Sequence, residues 1–266
     1  MSRPPAPREW DAAEYHRLSA PQFKWGVRVL NQLHLRGDER VLDAGCGTGK
    51  LTRVLLENLP RGQVVAVDLS TNMVRHSQGN LRPEFGNRIA FVAADLAALP
   101  FSCAFDGILS TASFHWVLDH DTLFANLWGV LRSGGWLHAQ CGGGPNLSRL
   151  RGRVRELAAQ PEYSPWIGEF PEPWFFSDAE GAGLCLRKAG FVEVVTSIEP
   201  APVTLSGKEE FQDFIRSVVL HRHLERFPDD SLRQSLLGEL AARAAQDDPP
   251  WTLDYCRLNL RARKPQ

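Results

Sequence analysis

The residues best suited to chemistry stand at 43–49: Asp43, then Gly45-Cys46-Gly47-Thr48-Gly49. Apolar Val41-Leu42 precede them, and Leu51, Val54, Leu55 and Leu56 follow at helical spacing. A strand, a glycine turn and a helix make a cradle for nucleotide-like ligands. Glycine there takes positive φ and brings bare backbone to the ligand. The spacing then discriminates. The dinucleotide fingerprint is G-x-G-x-x-G, and here the third glycine comes one residue early. The phosphate loop G-x-x-x-x-G-K-[ST] fails at Ala44 and Leu51. Asp43 would repel a pyrophosphate and suits a positively charged group, such as an amino-acid ammonium. Asp68 ends the apolar run Gln63-Val-Val-Ala-Val, where an acid accepts from ribose hydroxyls. Asp95 follows a third apolar run, Ile89–Ala94, placed to meet an adenine amino group.

S-adenosylmethionine carries an ammonium, a ribose diol and an adenine, but no phosphate. On Val41–Gly49, Val65–Met73, Ala94-Asp95-Leu96 and Leu131–Gly135, the chain resembles the class I S-adenosylmethionine-dependent methyltransferases. The aromatic run His115-Trp116-Val-Leu-Asp119 is similar to the trans-aconitate and malonyl-carrier-protein methyltransferase type. The resemblance implies that Asp43 and Gly45, Cys46, Gly47, Thr48 and Gly49 hold the methionine portion. It places Asp68 on the ribose, with Leu69 and Met73 walling the adenine; Met73 reads equally as helix core. Asp95 and the Leu96 N–H would face the adenine, with Ser110 also at the cofactor. Tyr15 and Gln22 would lie over the cofactor on an N-terminal helix; Tyr15, with Trp25, reads equally as docking that helix. His115 and Trp116 would face the transferred methyl, His115 as general base or as polar handle. The expected product is S-adenosylhomocysteine, and no metal is expected.

The elements that must position these groups alternate. Helix at 10–35, broken near Pro21, leads to strand 40–44, helix 49–58, strand 63–68, helix 70–82 and strand 89–94. Strand 105–110, helix 121–131 and strand 136–140 follow. Such alternation predicts a parallel sheet with right-handed crossovers, and all three acids fall at carboxyl ends, where ligands bind. Beyond 141 come helices at 146–159 and 177–189, then strands 191–198 and 252–263. The fold class expected is α/β: a Rossmann-like, seven-stranded, mostly parallel sheet with a C-terminal antiparallel hairpin and a helical lid insertion. Three regions are expected: 1–35 as a helical cofactor cover, 36–141 as the cofactor-binding core, and 142–266 as the rest of the sheet with a lid at about 206–248. In the lid, Arg216, His221, Arg222, His223 and Arg226 crowd one predicted helix. Positions 215, 218, 219 and 222 share a face, so Arg222 is expected to project inward and hold an anionic acceptor.

Composition bounds the rest. The 266 residues carry 30 basic and 31 acidic side chains, a net charge of −1, which is no footprint for nucleic acid. The five cysteines form no C-x-x-C pair, against a zinc site or disulfide frame. Neither an apolar secretory segment nor a run of ~18 apolar residues is present, so a cytoplasmic protein with a small-molecule acceptor, and neither membrane nor nucleic-acid partner, is expected. Oligomeric state is not legible. Two functions remain open: a methyltransferase acting on O or N of a small anionic molecule, and a cofactor-binding protein without transfer activity.

Overall fold

A computed structural model describes residues 9–266. In chain order the elements are α1 (Ala12–Leu18), α2 (Ala20–Leu30), β1 (Arg40–Ala44), α3 (Lys50–Glu57), β2 (Gln63–Asp68), α4 (Thr71–Phe85), β3 (Ile89–Ala93), β4 (Phe105–Thr111), α5 (His120–Val130) and β5 (Leu131–Gly142). The second half adds α6 (Ser148–Ala158), α7 (Ser164–Ile167), α8 (Ala179–Lys188), β6 (Val192–Pro200), β7 (Val203–Thr204), α9 (Lys208–Phe214), α10 (His221–Leu224), α11 (Asp230–Ala244), β8 (Thr252–Leu253) and β9 (Cys256–Arg263).

Seven strands form one sheet in the order β3-β2-β1-β4-β5-β9-β6. The neighbours from β3 to β5 are parallel, and β9 runs antiparallel to both β5 and β6. Chain order reverses between β1 and β4, which opens a crevice at the carboxyl edge. Strand residues alternate between two buried faces. Val41, Val64, Ala66 and Leu109 pack with α2, α3 and α4; Leu42, Ala44, Val65 and Ile108 pack with α5 and α8. A third apolar core belongs to the second half. There Leu150 and Leu157 of α6, Phe211 and Phe214 of α9, and Leu236 and Leu240 of α11 meet Trp25 of α2.

Four details depart from expectation. The first helix breaks at Ser19 rather than at Pro21, which occupies the first turn of α2. Proline fits there because its missing N–H would have no partner. Strand β5 is twelve residues long, because Leu131 already pairs with Phe105 across a bulge. The strand predicted from 252 starts at Cys256. Asp254 instead accepts from Ser148 Oγ (2.7 Å) and Arg149 N (3.0 Å) at the start of α6, and β8 peels away to pair with β7. As expected, β9 and β6 form the antiparallel edge on either side of the insertion. Finally, the basic segment is not one helix: a π turn at Ile215–Val219 separates α9 from α10.

Candidate active site

A cavity of about 430 Å³ opens at the carboxyl edge of the sheet. Its floor is the glycine turn. Gly45 N and Cys46 N both donate to Val67 O (2.8 Å each), which folds the turn over the end of β2. Gly45, Gly47 and Gly49 all have positive φ, at 86°, 52° and 83°. A Cβ at Gly45 would strike Ser113 Oγ at 1.8 Å, and one at Gly49 would strike Ser77 Oγ at 2.4 Å. At Gly47 a Cβ would meet only Tyr15 Cε1, at 4.0 Å, so it would enter the cavity itself. Bare backbone under an aromatic ring is a fit for a ligand that lies close against the turn.

Asp68 stands beside that turn. Its carboxylate accepts from Gly47 N (2.9 Å) and Ser70 N (2.9 Å), so its position is fixed from both sides. Burial raises its pKa, against those backbone bonds. Leu69, Met73, Asp95 and Leu96 continue the wall, and Tyr15 and Gln22 cover it. Burial pushes the Tyr15 phenol up to about 12, with the charge of Asp68 adding to it.

Other expected residues do not line the cavity. Asp43 lies beneath the turn, 3% exposed, and accepts from Thr52 Oγ1 at 2.6 Å. Ser110 Oγ donates to Ala44 O at 2.7 Å, tying β4 to β1. Thr48 Oγ1 bonds His16 Nδ1 (2.9 Å) in α1, and Lys50 Nζ donates to His16 O. Cys46 is buried and Gly49 caps α3. These five shape and latch the turn.

His115 and Trp116 line the same cavity in the loop after β4. His115 Nδ1 accepts from Gly142 N at 3.3 Å. A nitrogen that receives an N–H carries no proton, so in the neutral ring Nε2 holds it. Burial depresses the His115 pKa well below the ordinary value, and the charge of Arg257 acts the same way. The ring is therefore neutral and offers an N–H. Arg222 lines the cavity with Val218, Val219 and His221, whereas Arg216 binds Glu14 (3.0 Å) and Asp213 (2.8 Å), fastening the insertion to α1.

Several cavity residues escaped the sequence reading: Trp10, Asn146, Trp174, Phe176, Tyr255 and Arg257. Trp10 stands edge-on to Trp116 (5.5 Å) and Tyr15 (5.3 Å). Just before it, Glu9 accepts from Ser70 Oγ (2.8 Å) and Asn72 N (2.9 Å) at the start of α4. Arg257 is the residue topology could have flagged. Since β9 is antiparallel, its first residues lie at the ligand-binding edge; Arg257 sits opposite Gly142, the last residue of β5.

A family model described as a methyltransferase domain matches residues 41–135. An uncharacterized methyltransferase of Schizosaccharomyces pombe is 26% identical, over 96% of this chain and 98% of its own length. A trans-aconitate 2-methyltransferase of Acidovorax ebreus is 33% identical over a stretch spanning 57% of each chain. Among solved structures, a phosphoethanolamine N-methyltransferase of Haemonchus contortus superposes with a TM-score of 0.63 at 19% identity, over 96% of this chain and 57% of that one. It was solved with S-adenosylmethionine and with S-adenosylhomocysteine, and the likeness is one of fold.

Proposed function

We propose that this chain, a class I S-adenosylmethionine-dependent methyltransferase, moves the methyl group to an oxygen or nitrogen of a small anionic molecule. The observation that carries the reading is the lining of one cavity. Asp68 and the bare turn at Gly47 line the same cavity as His115, Trp116 and Arg222.

The residues proposed to hold the cofactor are Gly45 and Gly47 of the turn for its methionine portion, Asp68 for the ribose, and Leu69, Met73, Asp95 and Leu96 for the adenine. Tyr15 and Gln22 close over them. Asp43, Cys46, Thr48, Gly49 and Ser110 act through the turn they brace. When bound, the cofactor would supply a methyl carbon already activated on a sulfonium, with the thioether of S-adenosylhomocysteine as the leaving group. The chain's own task is then positioning. Aromatic faces of Trp10, Tyr15 and Trp116 exclude water and favour a nearby cation, by about 0.5–2 kcal/mol.

His115 was a candidate general base. Its Nδ1 already takes the Gly142 N–H, and a protonated Nε2 has no lone pair to accept a proton. We assign it instead as a hydrogen-bond donor, a polar handle for an acceptor oxygen. An acceptor that arrives already deprotonated needs no base. Arg222 supplies positive charge in the same cavity, and the matched relative named for trans-aconitate points the same way.

The test is release of S-adenosylhomocysteine in the presence of a panel of small acids, amines and phenols. Turnover with acids supports the reading. Turnover confined to neutral amines or phenols contradicts the anionic acceptor, and binding of cofactor without turnover on any acceptor supports a non-transferring binding protein.

A further inference from the structure

Arg257 is 2% exposed, yet it lines the cavity. Its guanidinium lies over the Trp25 ring, 4.5 Å from the centroid. Among the described residues no carboxylate comes within ion-pair distance of it. Glu199, opposite it in the β6–β9 register, is engaged by Gln140 Nε2 at 3.4 Å. The other groups around Arg257 are neutral: burial pushes the Tyr255 and Tyr15 phenols and the Cys141 thiol upward. Its buried Nε has no hydrogen-bond partner. A cation taken out of water without a partner is costly to the fold, and cation–π contact with Trp25 offsets only part of that cost. Such a group is explained when a ligand completes it.

The neighbours are hydrogen-bond donors. Asn146 Oδ1 is occupied by Cys256 N (2.9 Å), which leaves its amide N–H groups as the free polar function. His115, fixed by Gly142 N on the strand residue opposite Arg257, offers its own N–H. One planar fork ringed by donors matches a planar oxyanion of single charge. A phosphate monoester carries about −1.5 to −2 at neutral pH, more than one guanidinium balances.

We propose that Arg257 is the specificity-determining residue of the acceptor pocket, receiving a carboxylate of the acceptor beside Tyr255, Asn146 and His115. The assignment rests on the methyltransferase reading and narrows its anionic acceptor to a carboxylic acid.

The test uses Arg257→Met, which keeps a chain over Trp25, and Arg257→Lys, which keeps the charge without the fork. Trans-aconitate, benzoate and octanoate serve as acceptor probes, each beside its amide, with phenylphosphonate for comparison. Turnover is followed by S-adenosylhomocysteine release, and acid binding to the S-adenosylhomocysteine complex by calorimetry. The expected result is use of at least one acid but not its amide. Arg257→Met should lose about a hundredfold in kcat/KM, mostly through KM, with acid affinity falling in parallel. Arg257→Lys should recover part of the loss, and both variants should bind S-adenosylhomocysteine within about twofold of the parent, which also shows that they fold. Arg257→Met retaining kcat/KM within threefold overturns the proposal, as does preference for the amide or phosphonate. Cofactor binding without binding or methylation of any acid overturns the carboxylate assignment alone, whereas a parent that binds no cofactor overturns the methyltransferase reading beneath it.

Discussion

Burial governs the chemistry of single residues here. Asp43 is held under the glycine turn, and desolvation pushes its pKa up to about 7, opposed by the Thr52 hydroxyl and aided by the charge of Asp68. The folded protein thus keeps a proton that an unfolded aspartate releases above about 3.8. That contribution to stability is whole below the unfolded value and drains away as pH rises towards 7. Relative to Asp43→Asn, the parent should therefore lose stability between pH 5 and 7, by at most about 1.4 kcal/mol per pH unit. Urea denaturation of both proteins at pH 5, 6, 7 and 8 measures this, and parallel curves would refute it. The acid-glycine spacing at 43–49 was readable because backbone geometry demands it. That Asp43 braces the turn from below, while Asp68 borders the cavity, was not, since both are acids at strand ends. Arg257 was hidden for a different reason: in Cys256-Arg-Leu-Asn-Leu-Arg it reads as one of several polar residues alternating with core. Only the antiparallel direction of β9 brings it to the ligand edge.

At the scale of elements, the site depends on the segment before α1. Glu9 bonds the first N–H groups of α4, and Trp10 packs on Trp116 and His221. The segment thus spans from the start of α4 to the insertion. A carboxylate at a helix N-terminus contributes about 1 kcal/mol. Glu9→Ala should weaken S-adenosylhomocysteine binding about fivefold and raise amide exchange at 70–74. Unchanged affinity and exchange would show that the segment is only packed there. The strands were legible because apolar runs ending in an acid leave little choice of period. The early start of β5 was not, because Arg132-Ser-Gly-Gly135 has the composition of a turn while Leu131 already pairs with Phe105. Nor was the π turn, since apolar spacing at 215–222 fits an unbroken helix and the interruption comes from packing on the core that α6 and α11 provide.

For the whole molecule, three apolar cores hold one arrangement: two on the faces of the sheet, and one joining the insertion to α2 and α6. The insertion is consequently a packed wall of the cavity, with Arg216 bound to Glu14 of α1. Among the described residues no helix is long and apolar enough to cross a membrane, and no cluster of metal-ligating side chains occurs. The central claim is that the cavity at the carboxyl edge holds S-adenosylmethionine, with Asp68 on the ribose. Calorimetric titration with S-adenosylhomocysteine and, separately, with NADH tests it most directly. One site for S-adenosylhomocysteine, no binding of NADH, and at least about tenfold weaker binding by Asp68→Ala are expected, as loss of hydrogen bonds to a charged acceptor requires. Tight NADH binding without S-adenosylhomocysteine binding, or equal affinity in Asp68→Ala, would contradict it.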